Sequence, residues 1–281
     1  MTNEQRQKLI RERAASLIKE GIVLYVIGWR ETRFPDKTAV FFARSAEDAK
    51  ELIWNEYTVP LTSKYLCDDR WPDGKIGILA RGCDSKAINR LLSDNQISRE
   101  NLYIIGVPCE GKADDRCLSC QRMDPLIYDE LLWEPEPAKK NERGRFFRTE
   151  EVEPLGNGDR YNYWEDVYAR CIRCYACRNV CPVCTCRECY VDMHRDGFQG
   201  KRHDAAENRI FGVTRAFHVG DRCIECGECE RACPMGLPIL GQTQKIIKTV
   251  EKLSGAYESG LNATDENFLG EFDLDDKDAF M

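Results

Sequence analysis

Cys171-Ile172-Arg173-Cys174-Tyr175-Ala176-Cys177-Arg178-Asn179-Val180-Cys181-Pro182 decides how this chain is read. Its cysteines follow the frame C-x₂-C-x₂-C-x₃-C-P. The same frame returns at Cys223, Cys226, Cys229 and Cys233, with Pro234 behind it. Two-residue steps bring three sulfurs round one centre, and the proline turns the chain so that the fourth sulfur points elsewhere. This spacing holds a pair of [4Fe–4S] cubes, three thiolates of each run on one cube and the fourth on the other. Zinc is the rival occupant. Its sites use CxxC pairs and seldom continue with a third cysteine at the same step followed by Cys-Pro.

Outside these runs the totals are those of an ordinary folded chain. It has 281 residues, 42% of them apolar and 32% charged, enough for one or two domains with buried cores. A net charge of −7 disfavours a nucleic-acid partner. The longest strongly apolar run, Ile22 to Ile27, is far too short to span a bilayer, and no basic-then-apolar stretch opens the sequence. The expected location is the cytoplasm. Sixteen cysteines in a reducing compartment then argue for metal rather than disulfides. Five precede residue 135 and eleven lie between 171 and 233, so two metal regions need explaining.

The N-terminal part reads as α/β. An amphipathic helix is expected over residues 2–20, with Thr2 and Gln5 as a capping box, Leu9, Ile10, Ala14, Leu17 and Ile18 as its stripe, and Gly21 as its end. Strands are expected at Ile22 to Gly28 and Ala39 to Ala43. A helix should start at Ser45 and Asp48 and carry Ala49, Leu52 and Ile53, with a short one near Thr62 to Leu66. Lys75 to Ala80, a helix capped by Asp84 or Ser85, and Leu102 to Val107 form a β-α-β unit, whose strands run parallel and end on one sheet edge. Cys83 and Cys109 follow those strands, so both thiols fall at that carboxyl edge, and Cys117 and Cys120 form a CxxC close enough to fold back. Four thiolates could converge on a third cluster there, and the amides opening the helix would favour its negative charge. A zinc site, a redox CxxC or unrelated buried thiols are the alternatives.

Five pieces of this region carry a resemblance: Val26-Ile27-Gly28; Leu52-Ile53-Trp54-Asn55-Glu56-Tyr57; Arg81-Gly82-Cys83-Asp84-Ser85; Ile105-Gly106-Val107-Pro108-Cys109; and Cys117-x₂-Cys120. On them the first ~135 residues resemble the iron–sulfur domain of the beta-subunit family of coenzyme F-420-dependent hydrogenases and dehydrogenases. The part beyond resembles the small iron–sulfur subunits found beside heterodisulfide-reductase-like complexes of anaerobes. The resemblance implies a [4Fe–4S] cluster on the N-terminal domain. Fuller-length members also carry a flavin and a deazaflavin, but this sequence moves from Cys120 to a linker by about Trp133, so FAD stays an alternative. The expected fold class is an α/β domain with a small parallel or mixed sheet (1–132), a linker (133–160), a bacterial-type 2[4Fe–4S] ferredoxin of α+β class with a long insertion and a helical C-terminal extension (161–255), and an acidic tail (256–281). Helices are expected at Tyr161 to Ala169 and from Ile239 to Gly255, and the end of the tail, Glu271 to Met281, is expected to be mobile alone and to order only against a partner.

Cys184, Cys186 and Cys189 exceed what two cubes need. They read either as a fourth metal centre completed by Cys67, His194, His203 or His218, or as buried thiols. The insertion, residues 182–222, carries Arg195, Phe198, Lys201, Arg202, Arg209, Phe211, Arg215 and Phe217, as a partner-docking surface or as loop packing. No GxGxxG, GxxxxGK[ST] or catalytic base stands out. The sequence therefore favours a non-catalytic electron-transfer subunit working between a flavoprotein or catalytic subunit and another iron–sulfur subunit. A flavin-binding catalytic subunit and a zinc-stabilised interaction module are the alternatives.

Overall fold

The computed structural model describes residues 1–67, 74–135, 142–193, 200 and 202–264. Five strands form one mixed sheet: β1 (Val26–Glu31), β2 (Thr38–Ala43), β3 (Ile76–Ala80), β4 (Leu102–Gly106) and β5 (Glu130–Leu131), in the order β2-β1-β3-β4-β5. β1 and β2 are antiparallel, and the other pairings are parallel. Every residue of β3 is buried, as a strand covered on both faces must be. Leu79 and Ile105 face α1 (Asn3–Lys19) through Ile10, Ala14 and Leu17, while Ile78 and Ile104 face α2 (Gly82–Ser93) through Ile88 and Leu91. Thr2 caps α1 with the expected Gln5 reciprocity.

Two expected elements differ. β1 starts at Val26, not Ile22, because the amides of Ile22 and Val23 still bond back to Leu17 and close the helix end. Ser45 and Asp48 do exchange bonds (3.0 and 3.1 Å), but only a single 3₁₀ turn, Asp48–Glu51, follows. Leu52 is extended there, and the Ile53 amide goes to the Trp29 carbonyl at 2.9 Å instead of up a helix.

The second half is helical: α3 (Phe147–Glu150), α4 (Asn157–Ala169), α5 (Ala176–Asn179), α6 (Ala205–His218), α7 (Glu228–Arg231) and α8 (Leu240–Ser254). Among the described residues no helix is long and apolar enough to cross a membrane. Residues read as linker are partly core. Trp133 is buried with its indole donating to the Pro108 carbonyl, Thr149 and Val152 are buried, and Arg145 reaches Glu225, Glu251 and the Tyr257 carbonyl. Pro137 lies outside the described residues.

α6 occupies the insertion. Asp204 caps it, and Phe211 and Arg215 are buried while Arg209 pairs with Glu165, so these three do not form a free docking face. Arg195, Phe198 and Lys201 lie outside the described residues. Gly212 of α6 meets the Tyr168 ring of α4 so closely that a Cβ would strike its Cε1. Gly212→Ala should cost about 1–3 kcal/mol by overpacking, read as a lowered denaturant midpoint at unchanged slope.

Residues 256–264 return to α2 as a strap. Glu258 pairs with Lys86 and Arg122, each at 3.0 Å, and Asn89 donates to the carbonyls of Gly260 and Leu261. Gly260, at φ +81°, lies on the Lys86 backbone, where a side chain has no room. This part of the expected acidic tail is docked on its own chain; Glu271 to Met281 lie outside the described residues.

Candidate metal centres

β3 and β4 deliver Cys83 and Cys109 to one sheet edge. The helix after β3 begins at Gly82 with Arg81 as its cap residue, three residues before the earlier of the two expected caps, Asp84 and Ser85, so Cys83 sits in the first turn. Asp84 is instead the third helical residue. Its carboxylate takes the Arg81 Nε (2.8 Å) and the Thr62 amide (2.8 Å) and hydroxyl (3.0 Å). Cys117 lies on the 3₁₀ turn Asp115–Ser119 and Cys120 just behind it. The Gly82 amide donates to the Met123 carbonyl at 3.1 Å, folding this segment back against α2. Cys83, Cys109, Cys117 and Cys120 thus line one pocket together with Arg81, Lys112 and Arg116.

Burial pushes the Cys83 and Cys117 thiols up, and Cys120 up to about 11. Each is also raised by a neighbouring thiol of the set, as charges crowded into one site must be. Metal binding would take them as thiolates and release protons, with the cations around them offsetting the buried negative charge. Lys112 shows the same burial from the other sign: it is pulled down to about 8, with its ammonium 3.5 Å from the Trp54 ring centroid.

The two matching cysteine runs have matching backbones. Arg173 and Tyr175 in the first run, and Glu225 and Gly227 in the second, all have positive φ (49°, 59°, 58° and 70°). This curl turns the amides of Arg173 and Glu225 onto the sulfurs of Cys171 and Cys223, each at 3.4 Å. α5 and α7 follow at equivalent places and pack together. The runs cross over: Cys171 and Cys177 lie within electrostatic reach of Cys233, while Cys223, Cys226 and Cys229 lie within reach of Cys181. Burial raises Cys223 to about 12 and pushes Cys226 and Cys229 up as well. Cys181 moves the other way, because the Cys184 thiol hydrogen-bonds its sulfur.

Three charged residues of this region carry no signal in the cysteine spacing. Arg116, beside Cys117, pairs with Glu228 and donates to the carbonyls of Val59 and Cys226 (3.2 Å). Burial pushes the Glu228 carboxyl up, but Arg116 and Arg231 outweigh it and hold the group low. Arg215 is buried among Cys177, Cys181, Cys184 and Cys229 and donates to the Cys177 carbonyl at 3.0 Å. Cys83 and Cys226 pack on the same apolar wall of Leu61, Ala87 and Ile224.

Cys184, Cys186 and Cys189 line a separate pocket, joined there by His218 from the end of α6. Cys67 instead packs on the sheet core. His203 does not line the pocket, and His194 lies outside the described residues. Among the described residues no group of three or more His, Cys, Asp or Glu side chains is drawn together tightly enough for a single metal ion. A cube asks for something wider, since its four thiolates each bind a different iron.

A family model for the 4Fe-4S dicluster domain matches residues 167–237, which enclose both runs. The F420-dependent formate dehydrogenase subunit beta of Methanocaldococcus jannaschii is 24% identical over 277 aligned residues, covering 64% of this chain and 71% of that one. The F420-dependent formate dehydrogenase 1 subunit beta of Methanococcus maripaludis is 36% identical over 281, covering 63% and 73%.

Proposed function

This chain belongs to the family of F420-dependent formate dehydrogenase beta subunits, and from that premise we propose that it relays single electrons between a flavin-bearing or catalytic subunit and another iron–sulfur subunit of a formate-dehydrogenase-like complex. Cys171, Cys174, Cys177 and Cys233 hold one [4Fe–4S] cube, Cys223, Cys226, Cys229 and Cys181 a second, and Cys83, Cys109, Cys117 and Cys120 a third. Residues 1–132 and 161–255 are the two units that carry them. Bound clusters supply one-electron carriers, and the protein's task is to hold them, keep water away and balance their charge. Arg81, Arg116 and Arg215 provide the charge, and the amides of Arg173 and Glu225 the hydrogen bonds to sulfur.

The observation that supports a relay is the wall shared by Cys83 and Cys226, with Arg116, next to Cys117, donating to the Cys226 carbonyl. It makes the sheet-edge centre the neighbour of the second-run centre. In anaerobically purified protein, Cys109→Ser should remove about four irons and leave the paired cubes in place. Low-temperature spin resonance of the reduced protein should then lose the line broadening caused by a third nearby spin. Full iron retention in Cys109→Ser, or zinc in place of iron, would overturn the assignment. A stoichiometric flavin in the purified chain would favour the catalytic-subunit reading instead.

A further inference from the structure

We propose that Cys184, Cys186, Cys189 and His218 hold an additional iron–sulfur cluster, beside the second-run centre. The inference extends the iron–sulfur reading above, but it rests on different residues. The two matched runs leave C-x-C-x₂-C unused, and the structure does not scatter these thiols into the core. All three open into one cavity of about 380 Å³, and α6 ends so that His218 reaches the same cavity.

The lining points to an anionic occupant of some size. Lys64, Arg178, Arg187, Arg215 and Arg222 line the cavity; Arg178 pairs with Asp192, the one carboxylate of the lining, and Arg222 with Asp94 outside it. Lys64 donates to the Cys184 carbonyl at 3.0 Å, and Arg178 lies beside Cys189 in the same lining. Arg215 is 7% exposed, and its Nε is buried without a hydrogen-bond partner. A buried guanidinium with one N–H left without an acceptor is costly, and a thiolate-ligated cluster would supply negative charge beside it.

Thiolate and imidazole donors suit zinc or iron–sulfur chemistry. Zinc would need all four donors converging on one point at about 2.0–2.3 Å. The described side chains do not converge in that way, whereas a cavity ringed by separated donors leaves room for a cluster. Three thiolates with one imidazole give it less negative charge than four thiolates, and a histidine ligand raises the potential of such a centre. The Cys184–Cys181 hydrogen bond places the new centre directly against a proposed ligand of the second-run cube.

The test is iron and sulfide per chain in anaerobic full-length protein, for the wild type, for C186S/C189S and for H218Q. The double variant should lose about four irons and four sulfides relative to wild type while the spin-resonance signal of the paired cubes persists. H218Q, at an exposed position, should shift the midpoint potential of one component or abolish it, and leave the others where they were. Unchanged iron in C186S/C189S, or zinc as the metal lost, would overturn the inference. If Cys109→Ser removes iron and C186S/C189S does not, only the additional centre falls. If neither removes iron, the assignments above fall with it.

Discussion

Asp84→Ala is expected to destabilise the protein by about 3–5 kcal/mol, the cost of breaking a buried ion pair by removing one partner. Asp84 is fully buried and Arg81 is 2% exposed. The guanidinium is otherwise held by neutral carbonyls, those of Thr58, Val59 and Pro60, and stacks over the Trp29 ring at 4.7 Å. Without the carboxylate its charge has no carboxylate partner, and Thr62 loses the acceptor for its amide. Anaerobic denaturant unfolding measures the loss. The double replacement Arg81→Met/Asp84→Leu should recover much of it, because the uncompensated charge goes too. A loss below about 1 kcal/mol in the single variant would mean that water or the thiols already satisfy Arg81.

Gly82→Ala should act on the metal rather than on stability alone. A Cβ at Gly82 would collide with the backbone of Arg122 and Met123, not with a side chain that can swing away. The segment behind Cys120 would have to lift off the start of α2, breaking the Gly82 to Met123 hydrogen bond that brings Cys120 back toward Cys83. The expected result is loss of about four irons, with the paired-cube signal retained and a cost of about 1–3 kcal/mol. Unaltered iron content would show that the return of this segment does not assemble the pocket.

What could be read in advance was whatever local pattern records. The cysteine frames and the Thr2–Gln5 box are each set within a few neighbouring residues, and the β-α-β unit within one continuous stretch, so their geometry is written in spacing. α6 was hidden because its inner face mixes Asn208 and Arg215 with Phe211 and Ala216. Asn208 donates to the carbonyls of Tyr168 and Cys171, and Arg215 to that of Cys177, so the helix serves the cysteine loops where an apolar stripe would have announced it. β5 has only two paired residues, too few to show a period. Arg116–Glu228 and Lys86–Glu258 join charges more than a hundred positions apart, and taken singly each of the four reads as surface. The helix expected from Ser45 had its start signal, but the register with Trp29 won over propensity.

The pocket at the sheet edge borrows Ile224, Glu225, Cys226 and Gln244 for its far wall, and α2 behind it is fastened by residues 258–261. A ribosome therefore exposes Cys83, Cys109, Cys117 and Cys120 long before the pieces that enclose them have been synthesised. After Cys67 they are the next thiols to emerge, yet their housing waits for Ile224, Glu225, Cys226 and Gln244. Any centre at that position would wait on residues from Ile224 onward, and a translation product truncated before them would present four open thiols to oxygen.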